Sequence, residues 1–196
     1  MNPAVENYIS PLKTKNLDWK AWSATAFFVA FWLGLIAAAP VLKAGGSEIA
    51  DYIYAPFSFL CHQISERSPH LAGEPLAVCS RSFGDYAGLA IGIAAFPFLR
   101  SINDTNAPPR IVLFLAPVPT AIDFALGFFG IWENTHFSRF VTGAILGAVC
   151  AFFVVPGIVE INRFLWLKNK KKAPVKTVLP ESNQAPSDYS RPDLRI

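Results

Sequence analysis

Charged side chains are scarce in this chain. Only 16% of its 196 residues are Asp, Glu, Lys or Arg, whereas 53% are hydrophobic and 17 are phenylalanine. Ordinary soluble domains are less apolar than this, so the composition indicates lipid as the solvent. The sequence also lacks the Walker, dinucleotide-binding glycine, HExxH and GxSxG motifs, and no two of its 3 cysteines form a CxxC pair. The usual signatures of nucleotide-binding proteins, zinc proteases, serine hydrolases and membrane dithiol oxidoreductases are therefore missing.

Four apolar segments are long enough to cross a bilayer, which requires about 20 mostly apolar residues per helix. They are residues 21–39, 83–99, 111–132 and 140–159. The first follows a 20-residue polar leader and exceeds the apolar core of a signal peptide, so we interpret it as a retained helix. Pro117 and Pro119 interrupt the third, because proline removes a backbone donor and kinks a helix. The sequence predicts an all-α membrane protein with four transmembrane helices, the third of them proline-broken.

The remaining segments complete the predicted organisation. We divide the chain into an N-terminal segment at 1–20, a transmembrane domain at 21–166 and a basic tail at 167–196. The tail has too little apolar content to pack, and we expect it to be disordered. Residues 49–60 are too short to cross the bilayer and contain Pro56, and their Tyr and Phe side chains suit the headgroup region. We expect this segment to lie at the membrane interface before the second span.

Basic residues indicate the orientation, because cytoplasmic loops are enriched in Lys and Arg. The N-terminal segment, the loop between the second and third spans, and the chain from Arg163 onward hold 13 of the 17 basic residues. We therefore expect a multi-pass protein of a prokaryotic inner membrane, with both termini in the cytoplasm and the loop at 41–82 on the extracytoplasmic side. The lysines of the tail suit anionic lipid headgroups, and no nucleic-acid partner is expected.

All three histidines and two of the cysteines fall on the extracytoplasmic side, and three alternatives are open for Cys61 and Cys79. A disulfide between them would close a loop of about 17 residues in an oxidising compartment. A metal site formed by Cys61, His62, Cys79 and His136 would suit zinc, copper or iron. In the third alternative neither cysteine is bonded to anything.

Four charged residues surround this cluster in sequence, namely Arg67, Arg81, Asp85 and Asp123. Arg81 and Asp85 stand at i and i+4, and we expect them to neutralise each other. Alternatively, Arg67 and Arg81 form a fork for an anionic group such as a lipid phosphate or a carboxylate. We expect Asp123 at the proline break. It is either a functional carboxylate below the Cys/His cluster, forming one outward-facing pocket with it, or a buried Asp bonded to Thr120 or to the second helix.

Small residues recur at intervals of four in two of the spans. The second span carries Gly84, Gly88 and Gly92, and the fourth carries Gly143 and Gly147. Glycine stripes let two helix backbones approach closely in lipid. The pattern predicts that the second and fourth spans pack against each other.

A set of short stretches carries a family resemblance. They are C-H-Q at 61–63, E-R-S at 66–68, L-A-V-C-S-R at 76–81, G-D-Y-A-G at 84–88 and P-T-A-I-D at 119–123. In this order they resemble a family of small bacterial and archaeal membrane proteins of unknown function. The resemblance implies the architecture and no activity. In the family pattern a further cysteine often follows the C-x-R, where this chain has Ser82. A metal centre of that pattern would here bind weakly, use His136 or Glu133 instead, or be absent.

Two functions from different classes follow from these features. The first is a membrane protein with an extracytoplasmic Cys/His site that is metal-binding or redox-active. The second is a non-catalytic accessory or assembly subunit of a larger membrane complex, or of a homo-oligomer, in which Cys61 and Cys79 form a structural disulfide.

Overall fold

The structure, a computed structural model, describes residues 11–172 and is mostly helical. Its helices in chain order are α1 (Pro11–Ala44), α2 (Ile49–Ser58), α3 (Ser80–Leu99), α4 (Arg110–Leu115), α5 (Val118–Phe128) and α6 (His136–Lys172). A 3-10 turn at Ser65–Arg67 and the short antiparallel strands β1 (His70–Leu71) and β2 (Glu74–Pro75) lie between α2 and α3. Within this part of the chain, four helical segments are long and apolar enough to cross a bilayer. The predicted all-α class with four spans is confirmed.

The first and last helices extend beyond the apolar runs that predicted them. α1 begins before the first span, and α6 continues to Lys172. We expected residues 167–172 to be disordered, and this is wrong because they are helical. Lysine is a good helix former, and α6 needs no apolar partner outside the bilayer. The rest of the predicted tail, residues 173–196, lies outside the described residues, as do residues 1–10.

Prolines divide the third span into α4 and α5. α4 ends at Leu115 and α5 begins at Val118, with Pro117 between them. Pro119 is tolerated because the first turn of a helix has no partner for its N–H groups. The proline break is confirmed, but the expected position of Asp123 at the break is wrong. Asp123 lies well inside α5, because the chain resumes regular helix within one turn of Pro117.

α3 and α6 form the closest helix pair in the described chain. A Cβ added to Gly84 would lie 2.2 Å from the Phe140 carbonyl oxygen, and one added to Gly88 would lie 2.1 Å from that of Ala144. These distances are far below van der Waals contact, so only glycine permits this approach. The predicted pairing of the second and fourth spans is confirmed.

The two ends of the bundle differ in what they carry. The loop end holds residues 59–79 and 129–135, and the termini end holds the starting turns of α1, residues 100–109 and the last turns of α6. At the termini end, Nε of Arg163 donates to a carboxylate oxygen of Asp18 at 2.8 Å, and its Nη2 donates to the other. Arg163 also donates to the Asn103 carbonyl at 3.2 Å. This contact joins α1 and α6 to the α3–α4 connection.

A proline also explains one contact between α1 and α3. Pro97 has no N–H to donate to the carbonyl of Ile93, one turn before it. The indole Nε1–H of Trp22 donates to this carbonyl at 2.9 Å. In lipid, a freed backbone carbonyl needs a partner from the protein, and α1 supplies it.

Glycine substitutions test the α3–α6 contact. We expect Gly88→Ala to destabilise the protein by about 1–3 kcal/mol, because the added methyl must push the backbones apart. Gly34→Ala is the matched control, since a Cβ there meets nothing within 4 Å. Alanine also raises helix propensity, so this change should be neutral or slightly stabilising. Unfolding in mixed detergent micelles, followed by circular dichroism, measures both. Equal effects of the two substitutions would contradict the close packing.

Candidate functional site

Gln63 organises the loop that crosses the loop end. Its φ of 49° lies in the left-handed region, which side chains other than glycine rarely adopt. Nε2 of its side chain donates to the carbonyls of Tyr54 at 2.9 Å and Ala77 at 3.0 Å. The amide therefore ties the end of α2 to the segment that leads into α3. Apart from the position of Gln63 in the C-H-Q stretch, no sequence signal predicts this role.

The hairpin formed by β1 and β2 is bonded to α1 and α2 and helps to hold the same loop in place. The hydroxyl of Tyr54 donates to the Pro75 carbonyl at 2.5 Å, and the Lys43 ammonium lies 3.2 Å from the Glu74 carboxylate. Beyond the hairpin, Leu76, Ala77 and Val78 are buried against α1 and α2. Because this run is buried, Cys79, the next residue, is held immediately before the first turn of α3.

Cys61 and Cys79 meet at the start of α3. The backbone N–H of Cys79 donates to Sγ of Cys61 at 3.2 Å, and both thiols are free. Sγ of Cys79 lies 3.4 Å from the Ser82 hydroxyl. Burial raises the pKa of Cys79, but hydrogen bonds from Ser82, Cys61 and the Arg81 backbone stabilise the thiolate, and the balance lowers the pKa.

The histidines lie apart from the two thiols. His62 and His136 are exposed, and Nδ1 of His136 lies 2.7 Å from the hydroxyl of Ser80, which donates to the Arg67 carbonyl at 3.0 Å. His70 lies 3.2 Å from Ser65 through Nε2. Within residues 11–172, no three His, Cys, Asp or Glu side chains gather as metal ligands. The expected ligands Cys61, His62, Cys79 and His136 therefore do not lie together as one group. Metal binding stays a prediction.

Arg81 is paired across the bundle and not along its own helix. Its Nη2 lies 2.5 Å from Oδ2 of Asp123 on α5, and Asn134 donates to the same oxygen at 3.2 Å. The expected neutralisation of Arg81 by Asp85 is wrong, because Asp85 lies against Gly143 of α6 while Arg81 reaches toward α5. Of the alternatives for Asp123, the bond to the second helix is the one observed.

A cavity of about 560 Å³ opens beside this ion pair. It lies at the loop end between α3, α5 and the start of α6, and we call it the loop-end pocket. Its lining comprises Arg67, Cys79, Arg81, Ser82, Asp85, Phe124, Gly127, Phe128, Gly130, Trp132, Glu133, Asn134 and Arg139. The pocket brings Cys79 together with three of the four predicted charged residues, Arg67, Arg81 and Asp85. The fourth, Asp123, does not line the pocket but forms the ion pair with Arg81.

Two polar residues of the pocket were missed from the sequence. Asn134 lies in the short connection between α5 and α6, and Arg139 lies in the first turn of α6. Neither carries a local motif, because their role depends on α5 and α6 meeting at one end. A polar residue at the loop end of a span was the one available signal.

Three buried polar atoms at this place have no hydrogen-bond partner in the described part of the chain. They are Nε of Arg81, Oδ1 of Asp85 and Oδ1 of Asn134. Buried polar groups are nearly always paired in folded proteins, so each unpaired group requires an explanation. Here one donor and two acceptors lie around one cavity, as expected of a site whose hydrogen bonds are completed by a bound polar molecule.

Comparison with known proteins identifies similar membrane proteins. Residues 61–153 match the model of a family described as "Predicted membrane protein (DUF2085)". An uncharacterized protein of Methanocaldococcus jannaschii is 34% identical over 113 residues, which are 58% of this chain and 72% of that protein. One of Methanothermobacter thermautotrophicus is 34% identical over 91 residues, 46% of this chain and 80% of that protein. No solved structure matches the chain.

Substitution of Asp123 tests the ion pair behind the pocket. Asp123 is 8% exposed and Arg81 is half-buried, and we expect Asp123→Asn to cost about 1–3 kcal/mol because it weakens a charge-assisted hydrogen bond. Asp104→Asn is the control, since it breaks the Arg100–Asp104 pair of the α3–α4 connection, whose carboxylate is more exposed at 33%, and it should change little. Thermal unfolding in detergent measures both variants. A loss of stability no larger for Asp123→Asn than for the control would refute the structural role of the pair.

Proposed function

We propose that this chain, which belongs to the family described as predicted membrane proteins, binds a small molecule or headgroup with an anionic group in its loop-end pocket. The family and the four apolar helices establish a multi-pass membrane protein. The proposed ligand goes beyond that and rests on the side chains of the pocket.

The arginines carry this proposal. Arg67, Arg81 and Arg139 all line the pocket. Of these three, only Arg81 forms an ion pair with a carboxylate of the described residues. The guanidinium group is planar and presents a fork of donors that matches carboxylate and phosphate oxygens. Two unpaired guanidinium groups and the free Nε of Arg81 therefore offer a set of donors to one anion.

The size and remaining lining of the pocket fit a small ligand. A volume of about 560 Å³ lies within the range of small-molecule sites. Phe124, Phe128 and Trp132 supply an apolar wall on the side of α5. A ligand with an anionic group and an apolar part would use both surfaces.

The distribution of basic residues supports an extracytoplasmic location for the pocket. Residues 15–20, the connection at 100–109 and the last turns of α6 lie at the termini end, where most of the basic residues are. Positive loops stay in the cytoplasm, which would place the loop end outside an inner membrane. The ligand would then come from the extracytoplasmic solution or the outer leaflet.

Ethyl phosphate is a suitable probe for the anion site. We expect the full-length protein in detergent to bind it in titration calorimetry. Arg67→Gln and Arg139→Gln should each weaken binding about tenfold or more, because each removes a charge-assisted hydrogen bond. Arg110→Gln at the termini end is the control and should bind like the parent protein. Absence of binding, or unchanged affinity in a variant with both pocket arginines replaced, would overturn the proposal.

A thiol function of the same pocket is the second candidate, and the environment of Cys79 favours it. The thiol lines the pocket, its pKa is lowered, and the first turn of α3 and the Ser82 hydroxyl stabilise its anion. The thiolate is the reactive form of cysteine. Of the metal-binding and redox-active possibilities for the Cys/His site, this arrangement suits thiol chemistry, with Cys61 as the neighbouring thiol.

Alkylation kinetics test the thiol candidate. The lowered pKa means that Cys79 holds more thiolate at a given pH, so its reaction with iodoacetamide should reach half-maximal rate at a lower pH than that of free cysteine in the same detergent. Ser82→Ala removes a stabilising hydrogen bond and should move the midpoint upward. Tryptic peptides ending at Arg67 and Arg81 separate Cys61 from Cys79 for mass spectrometry. A midpoint at or above that of free cysteine would rule out an activated thiol.

An accessory role in a larger complex is the remaining alternative. α4 and α5 pack chiefly against α6, and this pair leaves large apolar residues exposed outside the pocket, such as Phe114, Leu115 and Ile122. Contact with the bilayer accounts for such surfaces without a protein partner. The pocket therefore supports ligand binding more directly than it supports assembly.

A further inference from the structure

The charges of the loop-end pocket are mixed, and this mixture limits the class of ligand. Besides its three arginines, the lining contains the carboxylates of Asp85 and Glu133. Asp123, which does not line the pocket, neutralises the charge of Arg81 by an ion pair. Arg67 and Arg139 then carry two positive charges without a partner among the described carboxylates, and Asp85 and Glu133 carry two negative ones without a basic partner there. A ligand with anionic groups alone would meet like charges on part of the wall.

The unpaired buried atoms show the same division. Nε of Arg81 is a hydrogen-bond donor, whereas Oδ1 of Asp85 and Oδ1 of Asn134 are acceptors. An anion can satisfy the donor, but it has no hydrogen to give to the acceptors. A neighbouring ammonium group has donors only and complements the carboxylate of Asp85.

Helix packing holds Asp85 on the α6 side of the pocket. A Cβ added to Gly143 would lie 3.1 Å from Oδ1 of Asp85, and one added to Gly147 would lie 1.9 Å from the Asp85 carbonyl. The glycines of α6 thus make room for this residue and fix its backbone. Arg81, one turn earlier on α3, turns the other way to meet Asp123 on α5. The two opposite charges therefore point to different neighbouring helices, and both residues line the pocket.

We propose that the loop-end pocket takes a zwitterionic ligand, with its phosphate or carboxylate on the arginines and its ammonium group on Asp85. This inference rests on the anion binding proposed above and adds the positive group. Both a phosphoethanolamine lipid headgroup and a free aminoalkyl phosphate or amino acid have this chemistry.

The test compares two probes that differ only in the ammonium group. Ethyl phosphate and 2-aminoethyl phosphate are titrated into the full-length protein in detergent. We expect 2-aminoethyl phosphate to bind about tenfold tighter or better, because a charge-assisted hydrogen bond to a partly buried carboxylate is added. Equal or weaker binding of 2-aminoethyl phosphate, with ethyl phosphate still bound, would overturn the zwitterion and leave the anion site intact. Absence of binding by either probe would overturn both proposals.

Variants assign the ammonium group to its partner. Asp85→Asn keeps the size of the side chain and removes its charge, so the preference for 2-aminoethyl phosphate should fall about tenfold while ethyl phosphate still binds. Asp51→Asn, on the exposed face of α2 at the same end, is the control and should keep the preference. An undiminished preference in Asp85→Asn would refute the assignment. If that variant does not fold, the comparison of probes on the parent protein still decides the inference.

Lipid nanodiscs distinguish the two sources of the ligand. In nanodiscs of phosphatidylethanolamine, a lipid-headgroup site is already occupied, so 2-aminoethyl phosphate should bind at least about tenfold more weakly than in phosphatidylglycerol. Weaker binding in phosphatidylethanolamine supports a zwitterionic lipid headgroup, and equal binding in both supports a free zwitterion. Binding in neither lipid, after binding in detergent, would overturn a ligand site in the membrane-embedded protein.

Discussion

The contact between α3 and α6 is the constraint on which the rest of the structure depends. Lipid provides no hydrophobic drive for two apolar helices to associate, so close packing of their backbones must hold them. Gly84 and Gly88 on α3, and Gly143 and Gly147 on α6, let each helix lie directly on the other. α1 then packs on this pair through contacts such as the bond from Trp22 to the Ile93 carbonyl. α4 and α5 pack chiefly against α6, and α5 is also joined to α3 by the Arg81–Asp123 pair.

The same contact determines the chemistry of the pocket. Asp85 belongs to the interface with α6, whereas Arg81 and Ser82 stand on the part of α3 that faces α5 and the loop. Cys79 precedes the first turn, where backbone N–H groups stabilise a thiolate. The N-terminal end of one helix therefore places a thiol, a cation and a carboxylate around one cavity. A shift of α3 along α6 would move all of them together.

Features that depend on local chemistry could be predicted from the sequence. The apolar runs predicted the spans, the glycine spacing predicted the α3–α6 pair, and Pro117 predicted the break between α4 and α5. The partner of Arg81 could not be predicted, because i, i+4 spacing favoured Asp85, whereas the observed partner Asp123 lies 42 positions away. The roles of Gln63 and Asn134 likewise depend on where distant segments meet. The extension of α6 to Lys172 shows that an apolar pattern marks the membrane-spanning part of a helix and not its end.

Two Arg–Asp pairs, one at each end of the bundle, differ in how completely the guanidinium group is hydrogen-bonded. At the termini end Arg163 uses Nε and Nη2 on both oxygens of Asp18, which is 1% exposed, and a further donor contact goes to Asn103. That pair is closed. At the loop end Arg81 gives only Nη2 to Asp123, and its Nε is left buried and unpaired beside a cavity. A guanidinium group can donate two parallel hydrogen bonds to one carboxylate. Arg81 donates only one to Asp123, so it is held in place while other N–H groups of its guanidinium have no carboxylate partner.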